Sequence, residues 1–183
     1  MLVLILFLNT NVKAKEFKPI KIHIIRYNVQ TAKEEAFRKV PLSLPLSYFQ
    51  ADLTDKYHQS NMNYLKNTNN QINKKEPQRS IFPSFLGQTL VSYGIRYNNR
   101  MNKVYHYNSL GNLLRIEFDD NNPDKYPKRI TTYNNKGKLH TVVFYVSDKE
   151  QFNFDGNGNL IVHWIGEKAY NKNGSLMRIR RSL

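Results

Sequence analysis

One short phrase, repeated four times in the second half of the chain, narrows what this sequence can fold into. It reads Tyr107-Asn-Ser-Leu-Gly111-Asn-Leu113, then Tyr133-Asn-Asn-Lys-Gly137-Lys-Leu139, Phe154-Asp-Gly-Asn-Gly158-Asn-Leu160 and Tyr170-Asn-Lys-Asn-Gly174-Ser-Leu176. The common pattern is aromatic, Asn or Asp, two free positions, Gly, one free position, Leu. The copies start at 107, 133, 154 and 170, so their separation shortens from 26 to 21 to 16 residues. A weaker fifth copy begins at Tyr97-Asn-Asn-Arg100, with Met101 in place of the Gly. Asn or Asp opens a turn by bonding the backbone two residues on. The Gly supplies the positive φ that hairpin and bulge turns need. The Leu then re-enters a sheet on its buried face. The segments that follow, such as Leu113–Phe118 and Leu139–Tyr145, are short and rich in β-branched and aromatic residues, as strands are. The expected fold is mainly β: an antiparallel meander of repeated β-hairpins with a small N-terminal strand-helix cap.

The phrase is similar to the core of the YD repeat of RHS-type bacterial proteins, and it resembles the Tyr-x-x-x-Gly-x-Leu unit of MORN-like repeat proteins. The resemblance covers about half the chain, from Tyr93 to the end. It implies a curved antiparallel sheet in an extracytoplasmic or surface setting, and it implies no catalytic residues. Large YD proteins coil many copies into a shell around cargo; four or five copies cannot enclose anything.

The N-terminal half divides by composition. Met1–Leu8 is uninterrupted apolar sequence, followed by Asn9–Asn11 and Val12-Lys-Ala14, which matches a signal peptide over 1–14 cleaved after Ala14, with secretion to the periplasm or cell surface. It is too short for a transmembrane helix, so none is expected in the mature chain; the alternative for this stretch is a buried N-terminal strand. Residues 15–65 read as an α/β cap. Within it, 20–29 alternate as a strand, and Thr31-Ala-Lys-Glu34 has capping-box spacing before the apolar stripe of Ala36, Phe37 and Val40. Pro41–Pro45 is expected to be extended, and Ser47–Leu65 can hold a helix. Residues 66–80 are Asn, Gln, Lys and Glu with little to bury, and read as a linker or loop. Residues 81–183 form the repeat sheet, with Ile81–Leu86 expected to dock on it and Gln88–Ser92 to lead in as a strand.

With no Cys the chain has no disulfide, thiolate metal site or Cys nucleophile. Asp155-Gly-Asn-Gly-Asn159 starts like a calcium loop, but Leu160 and Gly166 stand where the pattern needs Gly and Glu. That loop and Asp120–Asp124 therefore read as turns, and no metal or cofactor is expected. His106, His140 and His163 lie on candidate strands and could converge, but no pair has zinc-ligand spacing. Nothing matches a hydrolase elbow, a phosphate loop or a metalloprotease motif, so no enzyme is expected. The net charge of +14 would draw an acidic polysaccharide, nucleic acid or an anionic membrane surface, although compositional bias toward Asn, Lys, Ile and Tyr would produce the same excess. Arg115, His140, Tyr145, His163, Trp164, Arg178 and Arg180 are the candidate binding face, with aromatics to stack flat groups and cations for phosphate or carboxylate. The expected function is a secreted, non-enzymatic binding or structural module that takes an anionic polymer or a surface protein. The alternatives are a MORN-like antitoxin or immunity-type protein and a small secreted basic hydrolase or nuclease.

Overall fold

The computed structural model describes residues 27–66, 78–120 and 125–180. Ten strands form one sheet: β1 (Arg79–Leu86), β2 (Thr89–Tyr97), β3 (Lys103–Asn108), β4 (Leu113–Asp119), β5 (Lys128–Asn134), β6 (Leu139–Tyr145), β7 (Glu150–Asp155), β8 (Leu160–Ile165), β9 (Lys168–Tyr170) and β10 (Leu176–Ile179). Each pairs antiparallel with the next in sequence, so the fold is a meander and every connection is local. The repeated phrase forms the tips of the β3–β4, β5–β6, β7–β8 and β9–β10 hairpins.

The four tips share one hydrogen-bond scheme. Asn108 Oδ1 accepts the N–H groups of Leu110 at 3.0 Å and Asn112 at 2.9 Å. Asn134, Asp155 and Asn171 do the same two and four residues on. One side-chain oxygen thus satisfies two turn donors, which is why only Asn or Asp occupies this position. The four glycines have φ of 81°, 77°, 82° and 77°, a region costly for any residue with a Cβ.

After each tip the register slips by one. Tyr107 faces Leu113 and His106 faces Arg115, leaving Leu114 without a partner. His140, Ile161 and Met177 are skipped in the same way. Each hairpin therefore carries a β-bulge directly after its Leu, and the bulge resets which residues face which side. Inward positions fall at the Leu and three residues later, as with Leu113 and Ile116 or Leu139 and Val142, all of which are buried.

A layer of N-terminal residues covers one side of the sheet. Helix α1 (Val29–Phe37) lays Ala32 and Ala36 on Val142, Phe144, Phe152 and Phe154. Residues 41–45 are extended, as expected, and clamp the second tip: Leu44 N–H donates to the Gly137 carbonyl at 2.8 Å and Leu139 N–H to the Leu42 carbonyl at 2.9 Å. Two 3-10 turns, Leu46–Tyr48 and Gln50–Asp52, and helix α2 (His58–Lys66) follow. Phe49 closes a second core cluster with Tyr93, Tyr105, Tyr107, Leu113 and Ile116.

Several expectations shift. Helix α1 begins at Val29, and its capping box joins Asn28 to Thr31, so Thr31 is the third helical residue and not the cap. Of the expected strand over 20–29, Tyr27 and Asn28 belong to no strand and Val29 is helical; residues 20–26, like the expected signal peptide, lie outside the described residues. Only the second half of Ser47–Leu65 is α-helical. The sheet starts earlier than expected: Ile81–Leu86 is not a docked peptide but part of edge strand β1, where Pro83 is tolerated because one side of the strand has no ladder partner among the described residues. The interval 66–80 is correspondingly narrower, since Lys66 ends α2 and Arg79 and Ser80 belong to β1, while 67–77 lie outside the described residues. Leu176, expected on a buried face, is exposed, because no described residue covers the fourth hairpin. In the fifth copy a 3-10 turn, Asn98–Arg100, replaces the tight tip, so Met101 needs no positive φ.

Candidate functional site

The bulge decides which candidate residues share a face. Lys128 on β5 lies opposite Tyr145 on β6, and Tyr145 opposite Gln151 on β7. Gln151 lies opposite Trp164, Trp164 opposite Ala169, and Ala169 opposite Arg178. These residues form a line across six strands on the side away from the helices. From Tyr145 to Arg178 it crosses four strand spacings, roughly 19 Å. Arg180, just past β10, brings its guanidinium carbon to 4.1 Å from the Trp164 ring centroid. The Lys128 ammonium stands 5.4 Å from the Tyr145 ring and 5.2 Å from that of Tyr126.

This geometry corrects the expected stacking platform. Trp164 is only 7% exposed, because Arg180 covers it, so its ring is not open to a base or sugar. The aromatics instead act as backing for cations. A cation held over a ring gains about 0.5–2 kcal/mol and keeps its outer hydrogen-bond donors facing solvent. Burial raises the Tyr145 phenol above the ordinary tyrosine value, so it stays neutral at physiological pH.

Arg115 is exposed on the same side, nearer the other end of the sheet, opposite His106. There His106 Nε2 lies 3.4 Å from Glu117 Oε2. The His106 hydrogen bond, opposed by burial, holds the Glu117 carboxyl below the ordinary glutamate range. A lowered folded-state value stabilises the fold above the unfolded-state value, and that contribution is lost as pH falls through the folded-state value. The Glu117→Gln variant is thus expected to lie about 1 kcal/mol below the parent near neutral pH, with the gap closing as pH falls below the ordinary glutamate range, read by urea denaturation at each pH.

The other two candidates do not join this face. His163 is the neighbour of Trp164 on β8 and so points to the helix side, where it stacks on Phe152 at 3.9 Å and meets Glu150 Oε1 at 2.9 Å. His140 is the unpaired bulge residue of the second hairpin and is exposed. The three strand histidines therefore do not converge. Among the described residues no group of three or more His, Asp or Glu could hold a metal. The Asp155 carboxylate accepts from Asn157, Asn159 and the Asn159 amide, as a turn residue.

A second polar constellation escaped sequence reasoning because its members are far apart in the chain. Asp55, buried three residues before α2, accepts from Tyr93 Oη at 2.7 Å, Asn61 Nδ2 at 2.7 Å and the Tyr57 amide at 2.9 Å. Asn61 in turn accepts from Arg79 Nε at 2.5 Å, and the Tyr93 hydroxyl also meets His58 Nδ1 at 2.8 Å. Burial, with the hydrogen bond to Asp55 behind it, raises the Tyr93 phenol well above the ordinary value. Its hydroxyl donates to Asp55, and through Asn61 and Arg79 the network ties α2 to β1 and β2. No motif spacing signals it; only the folded sheet brings residues 55, 61, 79 and 93 together.

No protein-family model, curated protein or solved structure matches the chain. Among the described residues no helix is long and apolar enough to cross a membrane.

Proposed function

We propose that this chain is a non-enzymatic binding module of a bacterial cell surface or periplasm, and that the outward face of the sheet takes up an acidic polysaccharide. The observation that carries the reading is the cation line: Arg178 and Arg180 exposed beside Trp164, with Lys128 over Tyr145 on the same face and Arg115 further along it. The net charge of +14 supplies long-range attraction of the same sign. Capture is electrostatic, through guanidinium and ammonium groups held against aromatic rings, and not by ring stacking on the ligand. The apolar stretch Met1–Leu8 and the resemblance to YD repeats support an extracytoplasmic setting.

The test is a salt series of binding to an acidic polysaccharide and to single-stranded DNA, followed through the emission of Trp164, the only tryptophan. The double variant Arg178→Ala/Arg180→Ala is expected to bind the polysaccharide about tenfold more weakly and to reduce the salt slope by about two. Lys136→Ala/Lys138→Ala, at a hairpin tip, removes the same charge and is expected to change little. Equal losses from both pairs would reduce the attraction to net charge alone and redirect the search to a protein partner.

A further inference from the structure

The N-terminal layer crosses the hairpin tips in the reverse of sheet order. His58 of α2 rests on Gly111, the Leu44 carbonyl on Gly137 and the Lys33 side chain of α1 on Gly158. At Gly174, the fourth tip, nothing described lies within 4 Å of where a Cβ would stand. The described layer ends one hairpin short. On the helix side beyond it, flanking the exposed Lys168, Ile165 is 50% exposed and Ile179 56%, with Leu176 at 52%, although Val142, Phe152 and Phe154 on the same side are completely buried under α1. Val29, the first residue of α1, is 42% exposed and lines a groove there with Leu160, His163, Ile165 and Tyr170.

We propose that this apolar face of β8–β10 is the docking site of the chain's own residues Ile20-Lys-Ile-His-Ile-Ile25. Direction supports it, because the layer proceeds from β2–β4 at α2 to β6 and β7 at α1, and its next step toward the N-terminus falls on β8–β10. Reach supports it as well. Ile25 precedes Val29 by four residues, up to about 13 Å of chain, or nearly three strand spacings. The chemistry also matches: Ile20, Ile22 and Ile24 alternate with Lys21 and His23, so an extended segment offers one apolar side to the Ile and Leu patch and turns its polar side outward. A second copy is the poorer occupant, since each chain carries +14.

The absence of Cys makes the test direct, because any disulfide comes from residues placed on purpose. In the full chain, Ile22→Cys/Leu176→Cys is expected to oxidise to an intrachain disulfide about tenfold faster than Ile22→Cys/Leu114→Cys, read as a monomer by non-reducing gel and mass spectrometry. Leu114 is a comparably exposed bulge residue of the first hairpin. Equal rates for the two pairs would overturn the assignment, and so would ready dimerisation of Leu176→Cys alone, which would seat a second copy on the face. A measurement without cysteines guards against a perturbed fold. The full chain carrying Ile22→Asp/Ile24→Asp is expected to exchange its β9 and β10 amides about tenfold faster while β3–β6 are unchanged. Unchanged exchange in β9 and β10 would refute the proposal.

Discussion

Asp55→Ala is expected to destabilise the protein by about 3–5 kcal/mol, because one substitution strips the acceptor from two buried donors and from a helix-start amide. Tyr93 Oη and Asn61 Nδ2 each lose a 2.7 Å hydrogen bond, and both residues are fully buried, so water cannot replace the carboxylate without opening the cluster. Arg79, itself buried, is positioned through Asn61 and is disturbed in turn. For a chain of this length the midpoint of thermal unfolding should fall by roughly 10–15 °C. Tyr93→Phe removes one donor and leaves the carboxylate two others, so its cost should be only about 1–2 kcal/mol. The double variant Asp55→Ala/Tyr93→Phe should then be less damaging than the two single changes added together, because the phenol that loses its carboxylate in the first, keeping only the His58 contact, is gone. Strict additivity in calorimetry would mean that the two groups do not depend on each other.

The second large effect separates two glycines with the same backbone angle. Gly137 and Gly174 both have φ of 77°. Gly174→Ala adds only the strain of a Cβ in the left-handed region, about 1 kcal/mol, since no described atom lies nearby. At Gly137 the added Cβ would collide with the Leu44 carbonyl oxygen. The extended segment 41–45 must then lift away, and its two backbone hydrogen bonds to the β5–β6 tip go with it. The expected cost of Gly137→Ala is about 3–4 kcal/mol, a fall of roughly 10 °C, against roughly 3 °C for Gly174→Ala. Similar melting temperatures for the two variants would show that the segment does not clamp the tip.

The hairpin tips were legible from sequence because their chemistry is local: Asn108 or Asp155 needs only its own next four residues to form the turn. The faces were harder to read. A bulge adds one residue without any distinctive composition, as Leu114, His140, Ile161 and Met177 illustrate, and simple alternation then assigns sides wrongly. Grouping His163 with Trp164 on one binding surface was excluded by strand geometry alone, since neighbours point to opposite sides. Arg115, Tyr145, Trp164 and Arg178 do share a side, yet whether the Trp164 ring is open depends on Arg180, whose position follows from the tertiary path after β10. Strand β1 was obscured by Pro83, which argues against a strand unless it is known to be at an edge. The start of α1 was set by Asn28, three residues before the Thr that carried the spacing signal.

The reversed order of the layer has a consequence for biogenesis. A ribosome releases α1 and α2 long before the strands they cover, so neither helix meets its partner as it emerges. The partners of α2, on β2–β4, are complete by residue 119, whereas α1 must wait until Phe154 has been added. The part of the layer made last is therefore the first able to dock, and assembly proceeds backwards from α2 toward the N-terminus while the sheet lengthens forwards. Stalling elongation once β4 has left the ribosome but before Phe154 has emerged should trap a nascent chain with α2 seated and the apolar side of α1 still available to chaperones.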